Sequence, residues 1–176
     1  MIEYHLIQPL EIHTQRLQFR PLTVNDLDQL HQLLIHPQVR RYLCDDQIIP
    51  KEQTLSIMDQ SLKLFETHNF GLWAVFRHSE ETLAGFAGFW FFHDPPELQL
   101  LYGIHPTYWG QGWGTEVAQV MIQYAFDHLH FNQVIASADA PNLASIRVME
   151  KAGMQFQKKV FIDGKETIYY EFFRTL

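Results

Sequence analysis

Two segments carry the residue types and spacings on which chemistry could be built. The first, Tyr102-Gly-Ile-His-Pro-Thr-Tyr-Trp-Gly-Gln-Gly-Trp-Gly-Thr-Glu116, has glycines at 110, 112 and 114 just ahead of a run with helical spacing. Glycines at alternate positions let the backbone turn sharply and aim its N–H groups outward at the positive end of a helix. That arrangement suits an anion such as a phosphate or pyrophosphate. A dinucleotide fingerprint does not fit, because its last small residue falls on Thr115 or Val117, and a P-loop requires a Gly-Lys pair that is missing here. The second segment, Asp139-Ala-Pro-Asn-Leu-Ala-Ser-Ile-Arg-Val-Met-Glu-Lys-Ala-Gly-Met154, puts Asn142 at a helix start and Ser145 three residues on. Taken alone, Asn142 is a helix N-cap and Ser145 an ordinary first-turn residue.

The elements that must position these segments follow from periodicity and turn signals. Ile12 to Leu22 alternates as a strand, and Thr23 or Asn25 caps a helix from Asp26 that stops at His36-Pro37. A second helix spans Lys51 to about Thr67, with Leu55, Met58, Leu62 and Phe65 on one stripe. Phe70 to Phe76 and Leu83 to Phe92 are aromatic-rich runs joined by a polar turn, an antiparallel hairpin with at least one face buried. A third strand covers Glu97 to Ile104, a helix Thr115 to about Leu129, a strand Gln133 to Ala138, and a helix Asn142 to Ala152 ended by Gly153. Gln155 to Ile162 and Thr167 to Phe173 flank Asp163-Gly164, the strongest short hairpin signal in the chain.

Composition limits the class of protein. The 176 residues are 47% apolar and include 14 Phe, 7 Tyr and 4 Trp, enough for one core and one domain spanning 1–176, and incompatible with disorder. The single cysteine, Cys44, forms no internal disulfide, which fits a cytoplasmic location. Met1 to Leu10 has no basic segment followed by a long apolar run, so no secretory leader is expected. Phe86 to Phe92 is far below the roughly 20 residues of a membrane helix, so no membrane partner is expected. The net charge of −7 argues against nucleic acid and is compatible with a cationic partner. The 10 histidines show no H-E-x-x-H or comparable spacing, so no metal is expected.

The two segments, in this order and separated by a helix and a strand, resemble the GNAT superfamily of acyl-CoA-dependent N-acetyltransferases. The branch they are most similar to is the one typified by ribosomal-protein N-terminal acetyltransferases. The resemblance covers nearly the whole chain: Thr14 to Leu27 looks like the first strand and helix, Leu83 to Phe89 like the third strand, Tyr108 to Glu116 like the pyrophosphate loop, and Asn142 to Gly153 like the second cofactor motif. It implies an α/β GNAT-like fold: a central, mixed but mostly antiparallel sheet of six to seven strands, with one splayed parallel pair, flanked by four helices. It implies acetyl-CoA as co-substrate and an amine acceptor, either a peptide N-terminus or a small molecule, handled by a monomer or homodimer.

Carried over residue by residue, the resemblance implies that Gln111, Gly112, Gly114 and Thr115 offer N–H groups to the pyrophosphate, Thr115 its hydroxyl as well. Ile104 would pair its backbone with the pantetheine arm, and Asn142 would contact the pantetheine amides. Where the family commonly has Gln or Arg, this chain has Trp109. Acyl transfer also requires a neutral amine, and a lysine amine with a pKa of about 10.4 depends on a base more than an α-amine at about 8. Glu97 is the first candidate base, acting directly or through water, with His93 and His105 as alternatives on the same strand's flanks. Many family members place a tyrosine proton donor seven residues after the Asn; here that place is Met149, so Ser145 or water is left to serve the departing thiolate. A backbone N–H at Gly103 or Ile104 would polarise the thioester carbonyl. The competing reading is a non-catalytic acyl-CoA-binding or sensing domain.

Overall fold

The computed structural model describes residues 5–7 and 10–174; residues 1–4, 8, 9, 175 and 176 lie outside it, and with them most of the segment expected to hold no leader. The chain order is β1 (His5–Ile7), β2 (Glu11–His13), β3 (Leu17–Pro21), a 3-10 turn (Val24–Asp26), α1 (Leu27–Ile35), α2 (Pro37–Leu43), α3 (Lys51–His68), β4 (Leu72–Arg77), β5 (Leu83–Phe92) and β6 (Glu97–Ile104). A second 3-10 turn (Pro106–Tyr108), α4 (Trp113–Asp127), β7 (Gln133–Asp139), α5 (Leu143–Lys151), β8 (Gln155–Ile162) and β9 (Lys165–Phe173) complete it. Strands β1 to β6 form one antiparallel sheet in sequence order, and β7-β9-β8 a second. Neighbouring β6 and β7 join the two without a shared ladder. Gln99 meets Ser137 and Tyr102 meets the start of α5 at Ser145, so the two strands advance in the same direction. No helix of the described residues is long and apolar enough to cross a membrane.

The expected elements are present, with additions and one rotation. The strand expected over Ile12 to Leu22 is broken, because the Thr14 hydroxyl accepts the Leu17 N–H at 2.9 Å and the Arg16 N–H at 3.2 Å, turning the chain between β2 and β3. The helix from Asp26 stops at His36-Pro37 as expected, but Pro37 also opens α2, where its missing donor does no harm and His36 Nδ1 accepts the Gln38 N–H at 3.3 Å. The result is five α-helices among the described residues where four are expected. In α3, Met58 is buried as expected but Leu55 and Leu62 are exposed, and Thr54 and Ser61 face inward instead. Both are satisfied there: Thr54 Oγ1 lies 2.9 Å from His31 Nδ1, and Ser61 Oγ accepts the Leu72 N–H at 2.7 Å.

β4 and β5 are buried on both faces, as their near-continuous apolar runs require. One face packs with α1 and α3 through Leu30, Leu33, Met58 and Leu72; the other packs with α4 through Trp73, Phe89, Val117 and Met121. Asp163 and Gly164, at φ of 50° and 80°, turn β8 into β9, the primed hairpin turn the dipeptide favours.

The start of α1 depends on a buried ion pair. Arg20 donates to both Asp26 oxygens at 2.7 and 2.8 Å, and the Thr23 N–H donates to Asp26 Oδ2 at 2.8 Å. Burial pushes the Asp26 carboxyl up, but the bonds from Arg20 and Thr23 outweigh it and hold the carboxyl below the usual range. A carboxylate lowered on folding stabilises the protein above its unfolded pKa and loses that contribution as pH falls through the folded value. Asp26→Asn is therefore expected to lose about 2 kcal/mol at neutral pH, with the gap to wild type closing below about pH 4 in urea unfolding series. An equal gap at acid and neutral pH would contradict this assignment.

Candidate functional site

The Gly-rich segment leaves β6 through the second 3-10 turn and enters α4 at Trp113, slightly before the expected Thr115. Gly110 and Gly112 have φ of 74° and 78°, left-handed values that cost a side-chain-bearing residue more than glycine. The Trp109 N–H bonds the Pro106 carbonyl, and the next amide to find a partner is that of Glu116, on the Gly112 carbonyl at 3.1 Å. Between them, the N–H groups of residues 110–115 bond no described residue. Those of Gln111, Gly112, Gly114 and Thr115 thus lie unpaired at the positive end of a 15-residue helix. The Thr115 hydroxyl likewise has no partner among the described residues.

The cradle is braced from behind by residues to which sequence reasoning gave no role. Arg16 donates to the Gln111 carbonyl at 3.1 Å and, through Nε, to Glu116 at 2.7 Å, with a further short contact from its terminal nitrogen. Thr14 also donates to Glu116, at 2.7 Å, and Glu116 is only 7% exposed. The Tyr108 ring stacks on Trp113 at 4.3 Å. A Cβ at Gly114 would lie 3.1 Å from Val148 Cγ2, so its absence lets α4 approach α5 closely. Trp109, though 44% exposed, donates its indole N–H to the Ile104 carbonyl at 2.7 Å, tying the loop to the end of β6.

The ladder decides which backbone groups of β6 are available. The His105 N–H donates to the Ala84 carbonyl at 2.8 Å, and Gly103 stands opposite Phe86. Antiparallel alternation therefore commits the N–H of Gly103 to β5 and turns those of Tyr102 and Ile104 toward β7. Of the two amides expected to polarise a carbonyl, Gly103 drops out, while Ile104 remains and Tyr102 joins it. Across the gap, Asn142 Oδ1 accepts the Ser145 N–H at 3.2 Å, so Asn142 caps α5 and keeps its amide NH2 free of described partners. Ser145 Oγ lies 2.8 Å from the Tyr102 phenol. Burial pushes that phenol up to about 12, against a smaller downward effect of the Ser145 bond. Met149, where a tyrosine would stand, is 0% exposed and packed in the core.

Glu97 is not brought beside Ser145. It begins β6, five residues before Tyr102 and so roughly 17 Å away along the strand, and its side chain leaves by the opposite face. Its Oε2 accepts from Gln99 Nε2 at 2.7 Å, and Gln99 Oε1 accepts from Ser137 Oγ at 2.7 Å, a bridge from β6 to β7. Gln99 is 2% exposed, and a polar residue in a strand's buried register was the signal for this bridge. Beside it, the buried Tyr169 phenol lies 3.0 Å from His93 Nε2, its pKa raised by burial and then by the Glu97 charge. His105 is occupied elsewhere: its Nδ1 accepts the Thr107 N–H at 3.3 Å, and burial, then His36, lowers its pKa. Tyr42 donates to the Pro141 carbonyl at 3.3 Å, and Lys165 reaches both Asp45 and Asp139, closing the wall on this side.

Comparison with known proteins identifies the family and the fold. Residues 16–155 match the family described as the acetyltransferase (GNAT) domain. The uncharacterized N-acetyltransferase YnaD of Bacillus subtilis is 24% identical over 160 residues, covering 89% of this chain and 91% of that protein. An acetyltransferase structure from Agrobacterium tumefaciens superposes with a TM-score of 0.82 at 18% identity, over 98% of this chain and 99% of that one. RimL, a ribosomal L7/L12 α-N-protein acetyltransferase solved in complex with coenzyme A, superposes with a TM-score of 0.75 at 18% identity, over 91% and 95% of the two chains. The structural likenesses establish the fold, and the family match over most of its length places this chain in the GNAT acetyltransferase family.

Proposed function

We propose that the protein is a cytoplasmic enzyme that moves an acetyl group from acetyl-CoA to a primary amine, by direct attack of the amine in a ternary complex. The observation that carries this reading is the run of unpartnered N–H groups at 110–115, beside a strand end whose backbone faces an open gap. A pyrophosphate is the anion such a cradle fits, and a pantetheine arm is an extended amide chain able to pair with strand backbone. RimL, a protein of the same fold, was solved with coenzyme A, which supports the assignment of this ligand class.

In this account Gln111, Gly112, Gly114 and Thr115 hold the pyrophosphate, and Ile104 and Asn142 hold the pantetheine. The N–H group of Tyr102, two residues back along the strand from Ile104, faces the carbonyl oxygen, where negative charge grows during attack. Acetyl-CoA supplies the activated acyl carbon and a thiol leaving group. The amine loses one proton and the departing sulfur gains one. Glu97 takes the first through a chain of waters, since roughly 17 Å of strand separates it from Tyr102, and Ser145 faces the second. Cys44 does not provide an acyl-enzyme route, because burial and then Asp45 raise its thiol pKa and leave little thiolate. The acceptor is a peptide N-terminus, the substrate type of RimL, or a small amine.

Thiol release from acetyl-CoA, measured across N-terminal peptides, polyamines and aminoglycosides, tests the activity. Turnover with at least one amine is expected; acetyl-CoA binding with no acceptor turned over would select the non-catalytic alternative. Glu97→Gln is expected to lower kcat about 100-fold with a lysine-like acceptor, less with an α-amine, at unchanged KM for acetyl-CoA. Wild-type kcat in that variant would assign the base to water. Arg16→Ala leaves Glu116 buried without its cation, and is expected to weaken acetyl-CoA binding about tenfold in calorimetry through a loosened loop. Unchanged affinity would show that the cradle holds its shape without this brace.

A further inference from the structure

The Tyr102 phenol reaches across from β6 to the first turn of α5 and meets Ser145 there. A phenol has one proton to give, and two oxygens of Ser145 lie near it: Oγ at 2.8 Å and the backbone carbonyl at 3.2 Å. The carbonyl belongs to the interior of α5 and already accepts a helical N–H, whereas Oγ has Tyr102 as its one partner among the described residues. The shorter contact to the unshared acceptor is the better hydrogen bond.

We propose that Tyr102 is a positioning residue for the leaving group: its phenolic O–H donates to Ser145 Oγ and so turns the Ser145 hydroxyl proton outward, into the gap between β6 and β7. This rests on the reading that the thioester arm occupies that gap. A hydroxyl aimed at sulfur donates a hydrogen bond to the thiolate as it forms, which is worth more than the bond to the neutral thioester it replaces. Without the phenol, Ser145 is free to rotate and donate elsewhere, as first-turn serines do to nearby backbone carbonyls. Burial keeps the phenol protonated well above neutral pH, with its pKa up to about 12, so the donor persists through the range in which a thiol ionises.

Free coenzyme A, with the thiol pKa near 8.5 typical of an unperturbed thiol, offers a readout independent of turnover. The affinities of coenzyme A and of desulfo-coenzyme A are measured by calorimetry from pH 7 to 9.5. The second ligand lacks the sulfur and cancels titrations of the protein itself. The charged groups on the packed elements are the same in every variant: Glu97 bonded to Gln99 on β6, Asp127 and the Arg16-paired Glu116 on α4, Asp139 on β7, and Arg147, the Tyr170-bonded Glu150 and Lys151 on α5. In wild type, coenzyme A is expected to gain about tenfold over the desulfo ligand as pH rises, equivalent to lowering the bound thiol pKa by about one unit. Tyr102→Phe, which keeps the ring, and Ser145→Ala are each expected to abolish the gain, and the double variant to match the single ones. In turnover, Tyr102→Phe is expected to lower kcat about tenfold with KM for acetyl-CoA within about twofold. A gain retained in Tyr102→Phe, or missing from wild type that binds coenzyme A, overturns the proposal while leaving the ligand assignment standing. Failure of wild type to bind coenzyme A overturns both.

Discussion

β6 and β7 lie side by side, point the same way and exchange no ladder of backbone hydrogen bonds. Unpaired strand backbone is costly when it is buried and dry, so the gap persists only because other groups hold its two ends. At the near end, the chain Glu97, Gln99, Ser137 ties the strands through side chains. At the far end, Trp109 satisfies the Ile104 carbonyl and Tyr102 reaches Ser145. The open backbone between those ties is flanked by the Gly-rich loop and the Asn-capped helix, which is why one ligand is proposed for both.

In the proposed mechanism the gap also separates the two proton tasks of an acyl transfer. Alternation along β6 sends Tyr102 toward α5 and Glu97 and Gln99 to the other face. Hydroxyls therefore gather where the proposed mechanism has a thiol depart, and a carboxylate lies beside Tyr169 and His93 on the side closed by Tyr42 and Lys165. The loop proposed to anchor the ligand is braced by several separate contacts. Arg16 and Thr14 neutralise and bond the buried Glu116, Tyr108 stacks on Trp113, and Gly114 brings α5 close. A backbone cradle gains from such bracing because its amides then need no reordering on binding.

Much of this was legible in the sequence, for identifiable reasons. Glycine spacing, the Asn at a helix start and the Asp163-Gly164 turn are local signals, and the elements they mark lie within a residue or two of their expected limits. The stripe of α3 was misplaced because Thr54 and Ser61 look polar while their partners, His31 and Leu72, come from elsewhere in the chain. The stop at His36-Pro37 is real, but α2 is hidden in the sequence because a proline that ends one helix and a proline that opens the next look alike. The Tyr102–Ser145 and Arg16–Glu116 contacts join residues 43 and 100 positions apart, and no local pattern encodes such pairs. The loss of Gly103 as an available amide needed the register of β5 against β6, which only pairing fixes.

The most direct test of the central claim is a crystal structure of the protein with coenzyme A. The account predicts the pyrophosphate on the N–H groups of residues 110–115 and the pantetheine between β6 and β7. Its amides should pair with Ile104, and its sulfur should come within hydrogen-bonding reach of Ser145 Oγ. Coenzyme A seated elsewhere, or with β6 and β7 joined by a continuous ladder, would contradict it.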